Sequence, residues 1–102
     1  PLRYFYDSLS ATAALAALDY AQAAELAHRS YRLNRKHAST LRALAISQWH
    51  LGNQDAARRM VSELLAIAPD YTVSRFVERS PSSGYWTGKI WADTLRKAGV
   101  PD

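Results

Sequence analysis

Apolar residues recur along most of the chain at intervals of three and four positions, which is the spacing of one face of an α-helix. The residues between them are rich in Ala, Leu, Arg, Glu and Gln, and no stretch alternates apolar and polar residues as a half-buried strand does. Most glycines and prolines stand where a helix would begin or end. The pattern predicts an all-α fold of six helices, at residues 2–17, 20–34, 38–51, 54–67, 72–79 and 85–98.

The chain also repeats itself without a gap, at a period of about 34 residues. Ala11 aligns with Ala45 and Ala23 with Ala57, and small residues at these positions let the two helices of a hairpin approach closely. We call this alignment the repeat register, and further apolar pairs follow in it: Leu26 with Met60, Ala27 with Val61, Tyr31 with Leu65 and Leu33 with Ile67. Each hairpin leaves an apolar face for the next one to cover. We therefore expect one domain over residues 1–102, with a first repeat at 4–37, a second at 38–71, and a truncated repeat with a capping helix at 72–102.

The last predicted helix is amphipathic. Its apolar arc on a helical wheel holds Trp86, Ile90, Trp91, Thr94, Leu95 and Ala98. Most of the opposite side is charged, with Lys89, Asp93, Arg96 and Lys97. One broad apolar face and one charged face are typical of a helix that caps a stack of repeats.

The period and the residue pattern resemble those of tetratricopeptide (TPR) repeats. Residues 38–71 match best, with apolar, small, Gly and Pro residues where the family has them: Leu41, Leu44, Ala45, Leu51, Gly52, Ala57 and Pro69. In residues 4–37, Leu18 stands at the usual turn glycine and Arg35 at the usual proline. The tail, FVERSP and then LRKAGVPD, is similar to the C-terminus of bacterial proteins in which such repeats follow a class III adenylate/guanylate cyclase domain. The resemblance implies a short right-handed α-solenoid of antiparallel hairpins, forming the cytoplasmic C-terminal arm of a signalling protein.

The same resemblance implies a protein or peptide partner, bound in a concave groove lined by the first helix of each pair. The groove positions are Phe5, Ser8, Thr12 and Leu15 in the first unit and Ser39, Arg42, Ile46 and Trp49 in the second. We expect Arg42, Ile46 and Trp49 to form the main contact patch, with Phe5 as a second anchor, and the partner to be a peptide or the catalytic domain of the same protein. The carboxylate clamp of some family members is missing, because its positions hold Ser8, Thr12, Ala43, Val73 and Val77.

Composition and charge exclude several other classes of protein. The chain has 102 residues and no cysteine, so a disulfide framework and a Cys-ligated metal site are excluded. Uncharged runs such as Ser8–Leu18 are too short to cross a bilayer. No two of the three histidines (His28, His37 and His50) have the spacing of a metal-ligating pair, and GNQDAARR lacks the end of a phosphate-binding loop. We expect no active site and no cofactor, and the missing initiator Met suggests a piece of a longer protein.

Much of the net charge of +4 gathers at the end of the second predicted helix, in Arg29, Arg32, Arg35 and Lys36. One interpretation is a patch that binds a polyanion, and the other is that cations complement the dipole at the helix C-terminus. We favour the second, because no aromatic residues are interleaved for stacking on nucleic acid, and an acidic partner surface is the favoured functional use. A different hypothesis is self-association as a homodimer, since a short solenoid exposes bare hairpin faces.

Overall fold

The computed structural model describes the backbone of residues 2–79 and 86–102, and their side chains except those of residues 79, 86 and 87. Within these ranges the chain forms six helices and no strand: α1 (Arg3–Ala16), α2 (Tyr20–Leu33), α3 (Ala38–His50), α4 (Gln54–Ile67), α5 (Val73–Arg79) and α6 (Trp86–Ala98). All six predicted helices are confirmed, and every end lies within one residue of its prediction. The predicted proline stop at Pro81 and the predicted burial of the Trp86 side chain lie outside the described residues.

Consecutive helices pack against one another in chain order. The most extensive contacts join α1 to α2, α3 to α4, and α2 to α3. At the C-terminal end, α6 packs against both α3 and α4, and α5 packs against α6. As a result α3 lies at the centre, in contact with α1, α2, α4 and α6.

Several positions that the repeat register pairs are buried at both places in the chain. The four alanines predicted to lie between the two helices of a hairpin, which we call the seam alanines, are all fully buried: Ala11, Ala23, Ala45 and Ala57. Two further pairs in the same register are buried on α2 and α4: Ala27 with Val61, and Ser30 with Leu64. Because protein interiors are packed without spare volume, a larger side chain at any of the four alanine positions has no free space to occupy.

The turn that follows α1 and the turn that follows α3 are built alike. Leu18 has a φ of 61°, and Gly52, its counterpart in the repeat register, has a φ of 89°. The next residue in each turn donates its backbone N–H to the carbonyl five residues earlier: Asp19 to Ala14 at 2.9 Å and Asn53 to Gln48 at 2.8 Å. This is the hydrogen bond of a helix terminated by a left-handed residue. Leu18 therefore adopts the left-handed conformation that its counterpart Gly52 adopts.

The predicted amphipathicity of α6 is confirmed where its side chains are described. Trp91, Thr94, Leu95 and Ala98 are buried, and the charged side is exposed: Lys89, Asp93, Arg96 and Lys97. Thr94 donates its hydroxyl hydrogen to the carbonyl of Ile90 at 2.8 Å. Because that hydroxyl has no second hydrogen, it accepts from the Nε2–H of His50 at 2.9 Å. The His50 ring also stacks on Tyr20 at 4.3 Å, which joins α6 to α3 and α2.

The C-terminal tail ties α6 to α5. Val100 donates its backbone N–H to the carbonyl of Leu95 at 2.9 Å, and the Val73 N–H donates to the carbonyl of Pro101 at 2.8 Å. The Ser74 hydroxyl donates to the backbone of Asp102 at 2.7 Å. Val73 and Val100 are both buried, so the tail completes the core beside α5.

We predict that Leu18→Gly stabilises the protein. A left-handed conformation costs a residue with a Cβ about 1–2 kcal/mol, which outweighs the roughly 0.5–1 kcal/mol of backbone entropy that glycine adds to the unfolded chain. Urea unfolding is expected to show a free energy of unfolding higher by about 0.5–1 kcal/mol.

Leu51→Gly is the matched control, because Leu51 is also an exposed leucine after a helix but has a φ of −83°. It is expected to lose about 0.5–1 kcal/mol. An equal loss of stability in both variants would contradict the strain at Leu18.

Candidate partner-binding face

Aromatic rings of α1 and α5 lie close to residues at the beginning of α3. The Phe5 ring of α1 lies 6.3 Å from the ring of His37, the residue before α3. One turn into α3, the guanidinium carbon of Arg42 lies 5.5 Å from the centroid of the Phe76 ring in α5. We call the surface carried by Phe5, Thr12, Ser39, Arg42 and Val77 the α1–α3–α5 face.

Five of the seven predicted partner-binding residues keep accessible surface. Phe5 is 43% exposed, and four others are half-buried: Thr12, Ser39, Arg42 and Trp49. The Thr12 hydroxyl donates to the carbonyl of Ser8 at 3.1 Å within its own helix. These five residues come from both predicted repeats.

The predictions for Ser8 and Ile46 as contact residues are wrong. Ser8 is 2% exposed and Ile46 is 1% exposed, so neither side chain reaches a partner, and Leu15 is buried as well. Ile46 is buried because α3 is surrounded by four other helices. Ser8 and Leu15 are buried because α1 packs against both α2 and α3.

Trp49 is half-buried and packs against the core. The guanidinium carbon of Arg58, on α4, lies 5.4 Å from the centroid of the Trp49 ring and covers one side of it. With Ile46 buried between them, Arg42 and Trp49 do not form the continuous exposed patch that the sequence predicts.

A buried hydrogen-bond chain holds the α1 end of the face in place. Ser30 donates its hydroxyl hydrogen to the carbonyl of Tyr4 at 2.6 Å. Because the Ser30 hydroxyl has no second hydrogen, it accepts from the Thr40 hydroxyl at 2.8 Å. The Nδ1–H of His37 then donates to Thr40 at 2.8 Å. Burial lowers the pKa of His37 below its ordinary value, and the positive charge of Arg42 lowers it further, so the ring is neutral at neutral pH.

The four residues of the predicted basic patch separate into two groups. Arg29 and Arg32 line a pocket of about 410 Å³ between α1 and α2, together with Arg3, Asp7 and Leu33. Arg35 instead places its guanidinium carbon 5.2 Å from the centroid of the Tyr31 ring. Lys36 is exposed, and its backbone N–H donates to the Asn34 side chain at 3.0 Å. We call the lined space the Arg3–Arg29–Arg32 pocket.

Arg3 and Asp7 were not predicted at this pocket, because each is more than a helix length from Arg29 in the chain. Arg29 donates from Nη2 to Oδ1 of Asp7 at 3.1 Å, and the Asp7 side chain is 9% exposed. Oδ2 of Asp7 is buried and has no hydrogen-bond partner within the described part of the chain. One signal was available: in the repeat register Asp7 aligns with the fully buried Leu41, which marks it as a carboxylate on an inward-facing position.

Within residues 2–79 and 86–102, no three His, Asp or Glu side chains lie close enough together to hold a metal ion. None of the helices described combines the length and the apolar character that crossing a membrane requires. No protein-family model, curated protein or solved structure matches the chain.

Proposed function

We propose that the chain is a non-catalytic module that binds a protein or peptide partner, built as a short right-handed TPR-like α-solenoid. The recurrence of buried positions and of turn hydrogen bonds in the repeat register supports the solenoid. In this proposal α1–α2 and α3–α4 are the two repeats, and α5 and α6 are the atypical capping pair.

The partner contacts the α1–α3–α5 face. The observation that carries this proposal is that the exposed Phe5 ring lies 6.3 Å from the ring of His37, whose pKa is lowered by burial and by the nearby charge of Arg42. Aromatic and arginine side chains supply most of the binding energy at protein interfaces, and the neighbouring Val77 is also exposed. Thr12 and Ser39 add hydroxyls that are able to pair with the backbone of an extended peptide.

The resemblance of the repeats and the tail supports a setting for the module. We propose that it is the cytoplasmic regulatory arm of a bacterial signalling protein such as an adenylate or guanylate cyclase. The partner is then a separate protein or the catalytic domain of the same protein, and any nucleotide chemistry takes place outside this chain.

We predict that Phe5→Gln/Arg42→Gln lowers partner recovery at least about tenfold, because interface anchors of this kind are worth about 1–2 kcal/mol or more. The measurement is quantitative affinity capture by the immobilised chain, compared with wild type. Phe5→Gln alone is included, because Phe5 is exposed while Arg42 also packs on Phe76.

The matched control is Ile67→Gln/Arg59→Gln, which removes one exposed apolar residue and one exposed arginine from α4. It is expected to recover the same proteins as wild type. Equal recovery by the control and by both test variants would refute the α1–α3–α5 face as the binding surface.

A second candidate function, self-association, is favoured by the outer surface of α1. Tyr6 and Leu9 are 62% and 53% exposed, whereas their counterparts in the repeat register, Thr40 and Ala43, are buried beneath neighbouring helices. In the second unit α2 supplies part of this cover, through the hydrogen bond from Thr40 to Ser30. A second copy of the chain packing on α1 would cover the same positions in the first unit.

For this second candidate we predict a concentration-dependent molar mass in light scattering, with the dimer weakened about tenfold by Leu9→Gln. Leu51→Gln, at another exposed leucine, is expected to leave the dimer unchanged. A monomer across the whole concentration series would eliminate the self-association candidate.

A further inference from the structure

The Arg3–Arg29–Arg32 pocket lies where the first turns of α1 meet the last turn of α2. Three guanidinium groups, one carboxylate and the exposed Leu33 line about 410 Å³ of open space. The lining therefore carries two more positive charges than negative ones. Arginine presents a planar fork of N–H donors that matches the two oxygens of a carboxylate or phosphate.

An ion pair and a helix dipole explain the positions of two of the three arginines, but not that of Arg3. Arg29 is paired with Asp7, and Arg32 lies in the last turn of α2, where a cation is favourable. Arg3 is the first residue of α1, the positive end of that helix, and no acidic residue stands in the first turn to balance it. Within the described residues, neither Arg3 nor Arg32 forms a side-chain hydrogen bond or ion pair.

The ion pair with Asp7 holds the Arg29 guanidinium in place before any ligand binds. Asp7 is nine-tenths buried and holds Arg29 through a single oxygen, which leaves most of the Arg29 donors for an occupant. Its other oxygen, Oδ2, is buried, so the part of the pocket that an occupant reaches is dominated by the guanidinium groups. A suitable occupant therefore brings oxyanions for the arginines.

We propose that the Arg3–Arg29–Arg32 pocket binds glutamate or aspartate side chains of an acidic peptide segment. A peptide supplies carboxylates for the guanidinium groups and apolar side chains for the exposed Leu33. No aromatic side chain stands among the described residues that line the pocket, so it offers no stacking platform for nucleic acid bases. The site is separate from the α1–α3–α5 face and does not depend on it.

The test is a fluorescence-anisotropy titration of the chain with a fluorescein-labelled peptide of alternating glutamate and leucine. Wild type is expected to bind this peptide and not the matching glutamine–leucine peptide. Arg3→Gln/Arg32→Gln is expected to weaken binding at least about tenfold, because it removes two charge-assisted contacts. Both residues are exposed, and a thermal melt confirms that the variant is folded.

The matched control is Arg59→Gln/Lys89→Gln, which removes the same charge from exposed positions on α4 and α6. It is expected to bind the glutamate peptide as wild type does. Equal weakening in both double variants, or no binding by wild type, would overturn the proposal. So would tighter binding of a single-stranded RNA oligonucleotide that is lost in Arg3→Gln/Arg32→Gln.

The proposed partner-binding function is distinguished by Phe5→Gln/Arg42→Gln. This variant is expected to keep its affinity for the glutamate peptide, because neither residue lines the pocket. Loss of peptide binding in this variant would place the peptide on the α1–α3–α5 face and overturn the assignment to the pocket.

Discussion

In each hairpin the two helices carry a fully buried alanine where a larger side chain would push them apart: Ala11 and Ala23 in the first, Ala45 and Ala57 in the second. This close approach is the constraint on which the remaining structure depends, since protein interiors are packed without spare volume. It draws the chain into a tight turn after α1 and after α3, which a left-handed residue makes possible. The sides of α3 that do not face α4 are packed against other helices, among them α2 and α6.

The fold could be predicted because its determinants are local or periodic. Helix ends follow from short-range spacing and from Gly52 and Gly99, and the charged side of α6 follows from a helical wheel. Leu18 aligns with Gly52 in the repeat register and shares its left-handed backbone, against the conformational preference of leucine. Here tertiary packing of the first hairpin overrides the cost of a left-handed residue with a Cβ.

The candidate surfaces were harder to predict, because exposure depends on which helix covers which. The sequence placed Ile46 on an open groove, but α3 is enclosed on nearly all sides once α6 packs against it. Similarly, Arg3 and Asp7 join Arg29 only through the pairing of α1 with α2. The molecule therefore has two candidate contact surfaces of different chemistry. The α1–α3–α5 face combines apolar and hydroxyl side chains with the single guanidinium of Arg42, whereas the other surface is a pocket lined by three guanidinium groups.

The most direct test of the buried alanines is the free energy of unfolding in urea of two seam variants, Ala23→Leu and Ala57→Leu. The controls are Ala21→Leu and Ala66→Leu, at exposed positions on the same two helices. If the helices of each hairpin depend on close approach, each seam variant loses about 1–3 kcal/mol through overpacking, while each exposed variant changes by less than about 0.5 kcal/mol. Seam variants as stable as the exposed ones would contradict the account.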